Sequence, residues 1–556
     1  MNASLHASCP FQCKIEIPAY VSATNNQHVF GLLKISKEKG SLQMKLLICI
    51  PLLSGLLLAE ENVDLAVVNR IKAEAFQNSQ AMEHVAYLTD VYGPRLTNSP
   101  GNRAAAEWAM KQLKSWGLVN VHLEKWGPFG TSWRLKHFAG HLLEPQYQPL
   151  IGMPLAWTPG TGGVVKGEPV MAVIAAESDF EKYKGKLRGK IVLLMETRAL
   201  EAQFMPLGHR WTDEEIEARN TIPDVARMSS RPRPPAGAPE FRNKRNQFLK
   251  DEGALVVLQY GTPGDGGTIF VVAGGSRDAK DPVPPPTVAL TPEHYNRIAR
   301  LVTRKIPVKL EFEIDAEFLK EGEESYNIIA EIPGTSKKDE IVMLGGHFDS
   351  WHGGTGATDN AAGSSVAMEA VRILTKLKLP MDRTVRIALW NGEEQGLLGS
   401  KAYVQEHFAN RESMMEGSEY KKLSVYFNTD NGTGKYRGIN AGGNDMVKPI
   451  FKAWLEPFHD LEAKAVIGTT ALPTRQPGGT DHTSFTWIGL PGFGFLQDSI
   501  EYATRTHHSN MDVYDRIQAG DMMQMSAIMA SFVYNSATRP EMIPRMPKPA
   551  PQKQER

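Results

Sequence analysis

Cysteine is nearly absent from this sequence. Of 556 residues only Cys9, Cys13 and Cys49 are cysteine, all near the N-terminus, which leaves the rest of the chain without disulfides or thiolate chemistry. A surplus of charge is absent as well. The 62 Lys and Arg balance 62 Asp and Glu, so nothing in the bulk composition points to a nucleic-acid partner or to a chain kept disordered by acidity. No H-E-x-x-H occurs, which excludes the helix-borne single-zinc protease arrangement. The apolar run from Leu46 to Leu58 is shorter than the roughly 20 residues a membrane span needs. What is present is a 42% apolar chain, long enough for two domains and appendages.

The segment from Met44 has a charged start at Lys45, the apolar run, and a small residue, Ala59, where cleavage could fall. This is the pattern of a secretory signal, imperfect only in Leu57 at the minus-three position. It predicts a secreted or periplasmic protein whose translation starts at Met44, with residues 1–43 an upstream extension and 44–59 the signal; a short buried helix or anchor is the other reading.

Helical periodicity dominates from Val63 to Trp116, interrupted by the loop YGPRLTNSPGN. From about 131 to 313 the texture changes to short β-type runs (GKIVLLME, GALVVLQYG, GTIFVVAGG, PTVALTP), with no long helix until LTPEHYNRIARLVT. Arg231–Pro239 is too rich in proline for helix or central strand, and Thr212 is placed to start a short acidic helix. Beyond 314, strands alternate with helices, including NAAGSSVAMEAVRILTKL with Val366, Ala370, Leu374 and Leu377 on one face. This predicts an α/β fold with a mixed, mostly parallel sheet flanked by helices, built from 60–130 and 314–538, and a β-rich insert between. Met522, Met525, Met529 and Phe532 predict a last, core-facing helix, and 539–556 reads as a flexible tail.

Ionisable residues gather at four predicted strand ends: His347, Asp349, His352 and Asp359; Glu393 and Glu394; Asp430; and His507, His508 and Asp512. One such cluster is usually a helix cap or a solvated loop. Four at the ligand-binding end of one sheet predict a shared site. Histidines and carboxylates without cysteine suit zinc or a similar divalent ion in a catalytic site, and two ions sharing a bridging carboxylate fit the number of donors better than one. In the doublet, adjacent side chains diverge, so one can bind metal while Glu393 faces water as a general base. The plainer reading of the doublet is a helix N-terminus that favours negative charge.

HFDS, the Asp of GATDNAAG, WNGEEQGLLGS, NTDNG and HHSNMD, in this order, resemble the co-catalytic zinc exopeptidases, a family that includes bacterial zinc aminopeptidases and glutamate carboxypeptidase. The resemblance implies a protease-associated insert at 131–313, two zinc ions, peptide substrates and a homodimer. It implies that Asp359 bridges the metals, that His347 and Asp430 complete one site and Glu394 and His508 the other, and that Glu393 is the base. It further implies that Asp349 orients His347, and that the Asp359–Asn360 peptide is cis. His507 falls where a relative has an oxyanion-steadying tyrosine. In GGTDHTSF, Asp481 is expected to cap a helix and His482 either to cap or to contact substrate; His352 is expected to be a bystander or a substrate-side contact. Two further readings keep this core: a transferrin-receptor-like binding protein without metals, and a glutaminyl cyclase, which lacks such an insert.

Overall fold

A computed structural model describes residues 61–221, 238–319, 324–468 and 479–551. The expected extension, signal segment and residues 231–237 of the proline-rich stretch lie outside the described residues. Among the described residues no helix is long and apolar enough to cross a membrane.

Eight strands form the main sheet, in the spatial order Val119–Trp126, Ser325–Ile332, Arg383–Trp390, Lys337–His347, Leu423–Asn428, Gly492–Gln497, Tyr436–Asn440 and Ala465–Ile467. The four middle strands run parallel. On one side Ser325–Ile332 joins them antiparallel, and on the other Tyr436–Asn440 does. Parallel strands buried on both faces read as continuous apolar runs, and IVML within Lys337–His347 is such a run. Val342 and Leu344 pack with the helices Ala362–Lys376 and Ala519–Thr538, whereas Ile341 and Met343 face the opposite side with Tyr403, Phe408 and Phe485.

The helix Ala519–Thr538 buries Met522, Met525, Met529 and Phe532 completely, as its spacing predicts. The helix Ala362–Lys376 goes beyond its expected stripe: it is buried all round from Ala362 to Leu374, because the N-terminal helices and Ala519–Thr538 cover it away from the sheet. Its buried charged residues are paired internally. Glu369 accepts from Arg372 at 2.7 and 2.9 Å and from the Gln80 amide at 3.0 Å, and lies 3.3 Å from His84 Nε2; Arg372 also reaches Glu74 at 2.8 Å.

Between the first two strands of the main sheet the chain builds two further sheets. Ser132–Glu144 pairs antiparallel with the whole of Lys309–Leu319 in a four-stranded sheet, and Ile191–Leu193, Val256–Tyr260 and Thr287–Leu290 lie in a five-stranded one. The described residues cluster as one compact unit. Several expectations need correction here. The boundary expected after Glu313 falls inside a strand. A helix, Ala238–Asp251, precedes Pro292–Thr303; its PEFRNKRNQFLKD is so polar that only Asn246 and Leu249 are fully buried. GTIFVVAGG joins no sheet, its backbone bonding instead to residues near 508 and to Ala156. The tail expected from 539 is laid down through 545: Ile543 is 2% exposed, and Arg545 donates to the Leu423 carbonyl at 2.6 Å.

Arg95, from the YGPRLTNSPGN loop, fixes the chain that follows His347. Its fully buried guanidinium donates to the carbonyls of Phe348 (2.9 Å), Leu88 (2.7 Å), Thr355 (3.0 Å) and Gly356 (2.9 Å). Burial pushes its pKa down to about 10, against the pull of Asp512, Asp349, Asp359 and Glu394.

A lysine has neither the planar fork nor the reach to serve four carbonyls. Arg95→Lys is accordingly expected to lose about 3 kcal/mol of stability in urea unfolding, the scale of a broken buried charge; a loss below about 0.5 kcal/mol would deny the clamp. Burial alone would raise the pKa of Glu369, but its bonds to His84 and Arg372 pull it to about 2 from an ordinary 4.5. A depressed carboxylate stabilises the fold above its unfolded pKa and ceases to do so as pH falls through the folded one. Unfolding free energy should therefore fall between pH 4.5 and 2, and Glu369→Gln, less stable at neutral pH, should flatten that part of the curve.

Candidate active site

Register brings the strand ends level. His347, the last residue of its strand, lies opposite Trp390, and Gly345 lies opposite Asn428. Glu393 and Glu394 therefore emerge just past one neighbour and Asp430 just past the other. Gly346 permits this crowding, since a Cβ there would lie 2.7 Å from the Thr429 carbonyl oxygen. Asp359 returns to the same place after a loop turned at Gly356 (φ 71°), and its peptide bond to Asn360 is cis.

The side chains meet around Asp359. His347 Nε2 is 3.2 Å from Asp359 Oδ1 and 3.2 Å from Asp430 Oδ1. His508 Nε2 is 3.2 Å from Asp359 Oδ2 and 2.9 Å from Glu394 Oε2. Glu393 converges with His347 and Asp430. Asp359 thus offers one oxygen to each of two groups of donors. His507 stands at the edge, Nε2 3.7 Å from Asp359 Oδ2, its ring 3.8 Å from that of His508 and 4.7 Å from that of Tyr502.

Residues behind the cluster hold it. His347 Nδ1 donates to the Asp349 backbone carbonyl at 3.0 Å, while the carboxylate is farther, at 3.6 Å. The expected brace is therefore made by the main chain. The Asp349 carboxylate instead accepts the Glu393 and Glu394 amides (3.3 and 3.4 Å) and the Thr97 hydroxyl (2.8 Å), so it shapes the doublet's turn. Asp512 accepts the amides of Thr358 (2.5 Å) and Asp359 (3.2 Å), which fixes the backbone of the central carboxylate. Its own burial raises its pKa to about 7.

Two residues stand apart from their expectations. Asp481 makes no capping bond, and both its oxygens are buried without a hydrogen-bond partner. His482 is not in the cluster; burial lowers its pKa to about 4 despite the charge of Asp430. His352 is also kept neutral by burial, with a pKa near 4, and donates from Nε2 to the Pro154 carbonyl at 2.7 Å, away from the cluster.

The donor set fits divalent cations. With Nδ1–H of His347 given to a carbonyl, Nε2 faces two carboxylate oxygens and needs a cation or a proton between. Asp359 Oδ2 and Glu394 Oε1 are buried with no hydrogen-bond partner, a costly arrangement unless a ligand completes it. Without metal, protons supply the positive charge. Burial opposes a charged His508, but Glu394 and Asp359 outweigh it and hold its pKa near 11; burial likewise opposes a charged Asp359, which the neighbouring His347 and His508 keep well below the usual range. Burial, reinforced by Asp430, Asp481 and Glu394 against the charge of His347, pushes Glu393 well above it. Metal binding would displace the imidazole protons.

Sequence reasoning missed how His508 is held. It has φ 63°, and its carbonyl accepts the Val271 amide at 2.8 Å; Asn510 accepts the Ile269 amide at 2.7 Å through Oδ1 and donates to the Gly267 carbonyl at 3.1 Å. GTIFVVAGG, in the segment between the sheet's first strands, is thus a latch on the His508 loop. Its apolar alternation resembles a strand, and no local signal reveals a partner some 240 residues away. Asn510→Ala should weaken metal binding by about 10-fold, the lower end of what support behind a ligand contributes, in competition with a chromophoric chelator. An unchanged affinity would show that the latch does not support His508.

Comparison with known proteins agrees with this geometry. Residues 327–533 match the model of peptidase family M28. Mouse carboxypeptidase Q is 26% identical over 488 residues, covering 87% of this chain and 91% of the mouse protein. The crystal structure of a peptidase M28 precursor from Shewanella amazonensis superposes with a TM-score of 0.61 at 25% identity, covering 87% of this chain and 99% of that one. BSAP, a zinc aminopeptidase from Bacillus subtilis, shares the fold at 18% identity and a TM-score of 0.53, over 83% of this chain and 96% of its own. Together with a carboxylate-centred site at the strand ends of a mixed sheet, these likenesses identify the chain as a metallo-exopeptidase, similar to the M28 peptidases and to carboxypeptidase Q.

Proposed function

We propose that this enzyme is a zinc-dependent exopeptidase acting on dipeptides or short peptides outside the cytosol, exported by the signal pattern from Met44 to Ala59. The observation that carries the reading is Asp359, whose two oxygens face different histidines, His347 and His508, each with a further carboxylate beside it. That geometry supports two ions bridged by Asp359, one completed by His347 and Asp430, the other by Glu394 and His508. Zinc held there would polarise the scissile carbonyl and make a water acidic enough to attack near neutral pH.

The chain's own residues do the rest. Glu393 faces the cluster from the turn set by Asp349, in surroundings that raise its affinity for a proton. It takes the proton of the attacking water and passes it to the leaving amine, so one carboxyl serves as base and then acid. Asp349 and Asp512 keep the doublet and Asp359 in place without touching substrate. His507, at the open edge of the cluster, donates to the oxyanion as it forms. The 132–319 segment, read as a protease-associated insert, walls the cleft and argues against a cyclase. Filled ligand positions argue against a purely binding role.

Glu393→Gln keeps the shape and removes the base. The expected result is a loss of peptide hydrolysis of about 10²–10⁴-fold with zinc content by mass spectrometry close to that of the parent. Chelation should abolish hydrolysis and added zinc restore it. Loss of the metals from Glu393→Gln would mean that Glu393 is a ligand, and undiminished hydrolysis would remove it from the chemistry.

A further inference from the structure

The motif NTDNG carries, directly after the proposed ligand Asp430, the dipeptide Asn431–Gly432. One other Asn–Gly occurs in the chain, Asn391–Gly392, just before the Glu393–Glu394 doublet. Such pairs are ordinary turn chemistry. Asparagine is also a thermolabile side chain, most so before glycine, where no Cβ obstructs attack of the next main-chain nitrogen on the side-chain amide. The two pairs stand in opposite surroundings. Asn391 is completely buried, and its Oδ1 accepts from Asn102 Nδ2 at 2.8 Å. Asn431 is exposed, and among the described residues neither its side chain nor the Gly432 amide has a hydrogen-bond partner.

The chain on either side of this exposed pair is pinned. Before Asp430, the Thr429 amide donates to the Gly345 carbonyl at 3.1 Å, and the Thr429 carbonyl accepts from Asn360 Nδ2 at 2.8 Å. After Asn431, the Gly432 carbonyl accepts from Gln497 Nε2 at 2.7 Å, and a Cβ on Gly432 would lie 3.0 Å from the Tyr502 ring. The Thr433 hydroxyl accepts the Gln518 amide at 2.9 Å. Any change of chain length between Thr429 and Gly432 must therefore be absorbed by Asp430 and Asn431. Asp430 Oδ1 is the oxygen that stands 3.2 Å from His347 Nε2.

We propose that Asn431 is a modification site at which the chain deamidates and isomerises by its own chemistry, and that the isomerised product displaces Asp430 from its place beside His347. The Gly432 nitrogen bonds to Asn431 Cγ, the bond from Cγ to the side-chain nitrogen breaks, and that nitrogen leaves as ammonia with the Gly432 proton. Water then opens the five-membered imide at either carbonyl. One opening leaves aspartate; the other leaves isoaspartate, in which the main chain runs through Cβ. Isoaspartate lengthens the main chain by one carbon, about 1.5 Å, against a tolerance of roughly 0.2 Å in a metal–ligand distance. With both flanks held, Asp430 must move. The loss of a metal ligand rests on the two-metal reading above; the modification itself does not.

The zinc-loaded parent and Asn431→Gln, whose side chain could close only a slower six-membered ring, are aged warm at mildly alkaline pH and digested in acid. Mass spectrometry maps the peptides, and an isoaspartyl methyltransferase marks the isomerised product. In the parent, the peptide holding Asn431 is expected to gain one mass unit and to accept methyl groups, while the Asn391 peptide does neither. Zinc per chain should fall from two toward one in step with isoaspartate, and stay at two in Asn431→Gln. Fresh Asn431→Asp adds the charge without lengthening the chain and is expected to keep both ions. An intact Asn431 in the aged parent, modification of Asn391 at the same rate, isoaspartate without loss of zinc, or loss of zinc from fresh Asn431→Asp overturns the inference and leaves the exopeptidase reading standing. If the fresh parent holds fewer than two ions, the two-metal reading falls, and the metal-free proteins decide: a melting temperature lowered by ageing in the parent but not in Asn431→Gln upholds the displacement, and equal melting overturns it.

Discussion

The crowding of carboxylates at one buried place governs the architecture of this enzyme. Asp349, Asp359, Glu393, Glu394, Asp430, Asp481 and Asp512 are gathered in one region, where burial and neighbouring carboxylates raise the pKa of Glu393, Glu394, Asp481 and Asp512. Two unit charges 4 Å apart repel by about 4 kcal/mol at an effective dielectric constant near 20. A few such pairs would consume the whole stability of a domain. Positive charge and donated hydrogen bonds must therefore be built in around them, and the surrounding fold can be understood as their supply.

The supply comes from separate parts of the chain. Arg95 brings a fixed positive charge from the N-terminal helical region and, through four carbonyls, anchors the loop between His347 and Asp359. Main-chain amides serve Asp349 and Asp512, which are thereby placed to hold other residues rather than to react. The two histidines face the remaining charge, and the proposed metals would complete it. Asp481 is the exception, buried with neither oxygen satisfied.

The segment between the first two strands of the main sheet contributes more than a wall. Its GTIFVVAGG stretch holds the loop of His508, so a proposed ligand depends on residues that belong to another sheet system. GTIFVVAGG forms no strand; its backbone groups are divided between the His508 loop and Ala156.

The sequence by itself determined the strand–helix alternation of the core, the methionine helix and the set of residues that converge at the strand ends. Each of these is written within one element or as a motif at its end, where periodicity and residue type carry the information. Tertiary structure alone decided that the His347 brace is a carbonyl rather than the Asp349 carboxylate, that Asp481 caps nothing, and that residues 539–545 are tied to a strand edge. It also decided that Arg95, Val271 and Asn510 support the site. Those features rest on contacts between residues far apart in the chain. Such contacts leave no periodic trace, because a buried arginine, a stray apolar run or a lone asparagine has the same local text whether or not a distant partner meets it.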